Sequence, residues 1–212
     1  MPILFLSLLS AASALLCIRS KYSGSALQLY VFKPLTTVLI LVIGLISVSD
    51  SASAYGYFVI AGIFFSLWGD VFLMLPKDRF IAGLSSFLVA HILFIMAFAT
   101  SSGPMPTGWI AIPVFLIAAA ASLFLLPHAG KLKPAVLTYI IVISVMLWQS
   151  WERWHILKTA DAMIAGLGAS FFMVSDFMLA YQRFIRPFKH AHAAVLGTYY
   201  TAIWLFALST GP

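Results

Sequence analysis

Charge is what this sequence has least of: Asp, Glu, Lys and Arg together make up 8% of its 212 residues, whereas soluble domains carry about 25%. With 63% hydrophobic residues and a mean hydropathy of +1.05, a water-soluble fold is excluded. Cysteine is nearly missing too. Cys17 stands alone, which excludes an intramolecular disulfide and a thiolate metal cluster. No Gly-rich phosphate loop, nucleophile elbow or HExxH zinc helix occurs, so no cofactor and no metal is expected. A positive segment is also lacking ahead of the first apolar run, and Arg19 and Lys21 follow that run. It therefore reads as a retained first span rather than a signal peptide. Acids are scarcer than bases, six against twelve, for a net charge of +6. In a soluble protein that excess would suggest nucleic acid as a partner; in so apolar a chain it fits basic loops against anionic headgroups, and no nucleic acid is expected.

What is present is a series of apolar runs bounded by Pro, Gly, Ser or charge. They predict spans at 3–18, 29–48, 55–75, 80–99, 108–126, 134–151, 160–181 and 191–208. At roughly 20 residues per span the chain is filled. The expectation is an all-α, polytopic membrane helix bundle of about eight transmembrane helices, with 1–212 as a single transmembrane domain. The odd-numbered connections hold Arg19, Lys21, Lys33, Lys77, Arg79, Lys131, Lys133, Arg183, Arg186 and Lys189, and the other face only Arg153 and Lys158. By the positive-inside rule the odd connections are cytoplasmic and both termini outside, in a bacterial inner (cytoplasmic) membrane.

The halves 1–106 and 107–212 echo one another. Lys33-Pro34 opens span two and Lys133-Pro134 opens span six. Gly69-Asp70 closes span three before Arg79-Phe80, and Ser175-Asp176 closes span seven before Arg183-Phe184. An even number of spans per half predicts a parallel 4+4 duplication, with a binding site between the halves.

Asp70 and Asp176 each lie about five residues before the end of a predicted span. A carboxylate in an apolar span costs at least about 2.5 kcal/mol unless it is paired, hydrated or protonated. Two at matching depth predict one polar pocket in which one carboxyl carries a proton and the other is ionised. The plainer alternative is that each caps a helix or pairs with Lys33 or Lys133. Those lysines either snorkel to the headgroups or bind a lipid phosphate. His91, midway along span four, suits a hydrogen bond across helices or a proton relay. One of Tyr199 and Tyr200, in span eight, can donate into the pocket; for either alone, helix packing is the competing role. His190 and His192, two residues apart, face different directions on a helix and do not make a metal site.

These residues resemble a known family. Ser66-Leu-Trp-Gly-Asp70-Val-Phe-Leu-Met-Leu-Pro76, Phe80-x-x-Gly83, Phe87-Leu-Val-Ala-His91-Ile, Ser175-Asp176-x-x-Leu-Ala180 and Tyr199-Tyr200 look like the signature of the YhhN-like lysoplasmalogenases. The resemblance implies an eight-span hydrolase of the vinyl ether bond of lysoplasmalogens, releasing a fatty aldehyde and glycerophosphoethanolamine or glycerophosphocholine. It implies Asp70 and Asp176 as the catalytic pair, and Lys33, His91, Lys133, Tyr199 and Tyr200, by their placement in the spans, are expected toward the lysophospholipid. One departure stands out, because a Gln expected in span eight is missing where Tyr200-Thr-Ala runs into Ile203.

Such a reaction needs an acid for the alkene carbon, an anion beside the oxocarbenium-like cation and a positioned water. Three rivals use the same residues differently. A proton-coupled carrier of lipid or a small molecule needs broken spans, for which Gly44, Gly62, Gly166 and Gly168 are candidates; a non-catalytic lipid-binding protein needs no carboxylates; a metal-dependent lipid amidase needs a metal.

Overall fold

The computed structural model describes residues 1–48, 54–103 and 108–211. They form helices α1 (Pro2–Ser23), α2 (Ala26–Ser47), α3 (Ala54–Met74), α4 (Phe80–Ser102), α5 (Ala111–Leu125), α6 (Lys133–Leu157), α7 (Ala160–Phe184) and α8 (Ala191–Leu208). All eight segments are long and apolar enough to cross a membrane, α5 only together with the 3-10 turn that continues it to His128, and no strand occurs among the described residues. In hydrocarbon every backbone N–H and C=O must find its partner within the chain, which a helix achieves locally. Helix ends fall where that pattern is released. Gly24 takes a left-handed φ of 74° to close α1, and the Ser25 hydroxyl accepts from the Gln28 N–H to open α2.

Neighbouring helices pack in a closed ring, in the order α2, α3, α4, α6, α7, α8 and back to α2. α1 lies outside against α2 and α8, and α5 lies outside against α6 and α7. Related halves would make α2 on α8 the counterpart of α6 on α4, and both packings occur. Lipid-facing side chains such as Leu4, Leu15, Leu116 and Leu123 are left exposed.

Aromatic rings fill the middle of the ring of helices. Phe94, Phe98, Phe172 and Phe206 are fully buried, and the Phe94 and Phe206 rings meet at a tilt with centroids 4.5 Å apart. Two glycines make the space: a methyl at Gly62 would collide with Phe94, and one at Gly168 would come within 2.9 Å of Phe206. α2, α3 and α7 run unbroken through Gly44, Gly62, Gly166 and Gly168, so these glycines admit neighbours rather than interrupt spans. Gly168→Val should overpack this seam and cost about 1–3 kcal/mol, readable as a lowered midpoint of thermal unfolding in detergent. An unchanged midpoint would mean that Phe206 moves aside freely.

α6 runs beyond the predicted end of span six at Trp151 and carries Glu152 and Arg153 inside the helix. The reason is that these charges are partnered at the end of the bundle remote from the basic loops. Arg153 pairs with Asp161 of α7, donates to the Ser101 hydroxyl at 2.8 Å and lies 4.1 Å over the Tyr55 ring. Glu152 accepts from the Trp148 indole at 2.9 Å.

Candidate active site

Asp70 is 1% exposed, one turn before the end of α3, and its carboxyl oxygens meet one cation and two hydroxyl donors. The Lys33 ammonium lies 3.3 Å from Oδ1, while the Thr37 and Tyr199 hydroxyls donate to Oδ2 at 2.6 and 2.8 Å. Lys33 also donates to the Asp70 carbonyl at 3.2 Å. This geometry follows from where α2 begins. The sequence suggested that Lys33-Pro34 opens the helix, but α2 starts at Ala26 and Pro34 is interior, which seats Lys33 about two turns in and 7% exposed. Thr37, one turn further on, shares that face.

Asp176 is held differently. It lies about two turns before the end of α7, deeper relative to its helix end than the matching depth anticipated, because α7 continues to Phe184. Its Oδ2 accepts from the Tyr139 hydroxyl of α6 at 2.5 Å, and the His91 Nε2 of α4 lies 3.7 Å away. Lys33 precedes Asp70 by 37 residues and Tyr139 precedes Asp176 by 37 residues, so a neutral phenol occupies the register that the cation takes in the first half. Two carboxyls of similar placement therefore differ in counter-charge.

His91 is fully buried, with its ring edge-on to Tyr139 and Phe172 at 5.2 and 4.7 Å. Among the described residues neither ring nitrogen finds a hydrogen-bond partner. A buried polar group left without a partner costs about 1–3 kcal/mol. Nε2 facing Asp176 is the one feature of the surroundings that gives the imidazole something to do.

Both carboxyls line one cavity of about 550 Å³ that opens at the end of the bundle carrying the basic connections. Tyr199, Phe87 and Lys33 line it with them, and Lys21, Arg79, Arg183 and His192 surround its outer part. At the mouth Arg183 donates to Asp78 at 2.5 Å, and that contact holds the Asp78 carboxyl below its usual range.

Two residues expected at the site are elsewhere. Lys133 starts α6, is exposed and lines no part of the cavity; as the first residue of its helix it lacks the two turns that carry Lys33 inward. Tyr200 is buried, but its hydroxyl points to the Cys17 thiol and the Lys33 carbonyl, at 3.5 and 3.4 Å, so it packs α8 against α1 and α2. His190 and His192 part company, but not as two positions of one helix: His190 precedes α8 with a left-handed φ of 62° and faces Tyr22, while His192 lies within α8 and lines the cavity. Among the described residues no three His, Cys, Asp or Glu side chains converge as metal ligands would. Sequence reading passed over Thr37, Tyr139, Lys21 and Arg79. Thr37 carried a signal, standing four residues from Lys33, whereas Tyr139 required the helix packing.

Fold and cavity together define a polytopic membrane protein that buries two unlike carboxyls beneath a basic, water-accessible mouth. The YhhN family model matches residues 28–210, and the chain belongs to that family. It is 30% identical over 199 residues to the uncharacterized membrane protein YhhN of Escherichia coli, covering 93% of this chain and 94% of that one. It is likewise 30% identical to human lysoplasmalogenase TMEM86B over 166 residues, covering 78% of this chain and 69% of the relative. The bovine lysoplasmalogenase TMEM86A is 30% identical over 156 residues, which is 71% of this chain and 64% of that protein. No solved structure matches the chain. The chain is an integral membrane protein.

Proposed function

We propose that this protein is a membrane-embedded hydrolase that cleaves the vinyl ether bond of a lysoplasmalogen, releasing a fatty aldehyde and a glycerophosphoethanolamine or glycerophosphocholine. The observation that carries the reading is the inequality of the two carboxyls within one cavity. Its support from relatives is that proteins about 30% identical to this one are named lysoplasmalogenases.

In this scheme Asp70, matched by Lys33 and two hydroxyls, is the anion, and Asp176, which faces a phenol and an imidazole, carries the proton. Asp176 delivers its proton to the alkene carbon away from the ether oxygen, and the positive charge that develops is shared between the other alkene carbon and that oxygen. Asp70 stabilises this cation and orients the attacking water. Water adds to the cationic carbon and loses a proton, regenerating the acid and forming a hemiacetal. Collapse of the hemiacetal expels the glycerol oxygen, which takes up the hydroxyl proton, and leaves the aldehyde. Lys33 is engaged with Asp70 and Lys133 is outside the cavity, so the phosphate falls to Lys21 and Arg79 at the mouth. The mouth faces the cytoplasm of a bacterial inner membrane and both termini lie outside, on the strength of the basic connections.

The test is aldehyde release from lysoplasmenylethanolamine by the purified protein in detergent, with and without chelator. Release that survives the chelator supports the reading; a folded protein that releases none sinks it. His91 supplies a second check. His91→Leu removes an imidazole without hydrogen bonds, so thermal stability should hold or rise while aldehyde release falls. A fall in stability with unchanged release would make His91 a packing residue only.

A further inference from the structure

Beside the polar cavity lies a second, narrower one of about 60 Å³, between α4, α6 and α7 with α5 as its outer wall. The two share Leu73, Phe80, Phe87, Asp176 and Leu179, so both border Asp176. The second cavity is apolar. Leu125, Val136, Ile140, Ile143, Phe177 and Ala180 supply its walls, and the Tyr139 hydroxyl is directed at Asp176 rather than into it. One water-sized group needs about 10–15 Å³, so the slot admits only a few such groups. Water gains nothing there, because it needs two to four polar partners.

We infer that this slot is the binding site for the hydrocarbon chain of a single-chain amphiphile, whose polar end occupies the larger cavity. The inference rests on the functional reading above and assigns the part of the substrate that reading leaves unplaced. The occupant is set by what the joined cavities offer: cations at one end, carboxyls at the junction and an apolar slot wide enough for one chain at the other. A two-chain lipid has one chain too many for it. The bond between headgroup and chain then falls beside Asp176, where the proposed proton transfer happens. Longer chains continue past the slot along α5, whose outer residues Leu116, Ile117 and Leu123 face the lipid. Ala121 and Ala180 are the small side chains of the wall, and their size keeps the slot open.

The probe is a lysophospholipid whose chain is joined by a saturated ether, which cannot be hydrolysed at a vinyl ether bond, with a diazirine partway along the chain. Irradiated with the full-length protein in detergent, it should label the stretches 121–125 and 136–143 above the background at lipid-facing Tyr57 on α3. Ala180→Trp should lower that labelling by about tenfold, the equivalent of roughly two buried methylenes. Ala121→Leu is the milder variant should the first not fold, and should lower labelling less while shifting turnover toward shorter chains. Labelling spread evenly over lipid-facing helices and unmoved by either variant would overturn the slot. Because the probe reports binding without turnover, the two proposals fail separately: labelled slot residues with no aldehyde from the true substrate remove the hydrolase, and aldehyde with scattered labelling removes the slot.

Discussion

Asp176→Asn should lower aldehyde release by about 10³-fold, within the range that a positioned general acid contributes. The amide keeps the shape of the side chain and its carbonyl oxygen still accepts from Tyr139, so the helix contacts between α6 and α7 should persist. What it cannot do is give up a proton to carbon. A mere helix-packing role for Asp176 would leave release within a fewfold of wild type. Asp70→Asn should also be deleterious, but with a different pH signature. If Asp70 acts as the anion and Asp176 as the acid, the wild-type rate falls both as pH drops and Asp70 is protonated and as pH rises and Asp176 ionises. The asparagine at 70 should abolish the acid limb and keep the alkaline one. Loss of the alkaline limb instead would exchange the two roles, and a flat profile for wild type would deny both of them.

The fold was legible in the sequence because membranes impose a coarse rule that apolar length alone satisfies, and the predicted 191–208 matches α8 residue for residue. Ends were misjudged where charge enters a helix. Arg153 marked the end of span six on hydropathy, yet its pairing with Asp161 and its place over Tyr55 keep it inside α6. Lys33-Pro34 looked like a helix start because proline is favoured in a helix's first turn, although the apolar run already begins at Leu29 and α2 begins three residues earlier still. The same misreading made Lys133 the partner of Lys33. Repetition of the dipeptide was visible, whereas its position in each helix, interior in α2 and terminal in α6, was not. Asp70 and Asp176 were legible because an acid in an apolar run is conspicuous. Tyr139 was hidden among ordinary aromatic residues, and only packing of α6 against α7 gives it meaning. The apolar slot was equally invisible, since its walls come from separate helices and no local pattern marks them.

Lys33→Met should destabilise the protein by about 3–5 kcal/mol, the usual consequence of leaving one member of a buried ion pair alone. Asp70 is 1% exposed and, among the described residues, has no other cation within salt-bridge distance, so its remaining partners, Thr37 and Tyr199, stabilise the carboxylate by hydrogen bonds only. The reverse change is milder. In Asp70→Asn the lysine keeps a flexible stem, lines the open cavity and can turn its ammonium toward water. Lys33→Met combined with Asp70→Asn should recover part of the loss, with a coupling of about 1–3 kcal/mol in a double-mutant cycle of unfolding in detergent. Aldehyde release should not recover, because the double variant has no anion beside the developing cation. Stability and activity would then separate within one set of variants. Additive stabilities would mean that the cavity already hydrates the pair, and recovered activity would remove Asp70 from the chemistry while leaving its structural role in place.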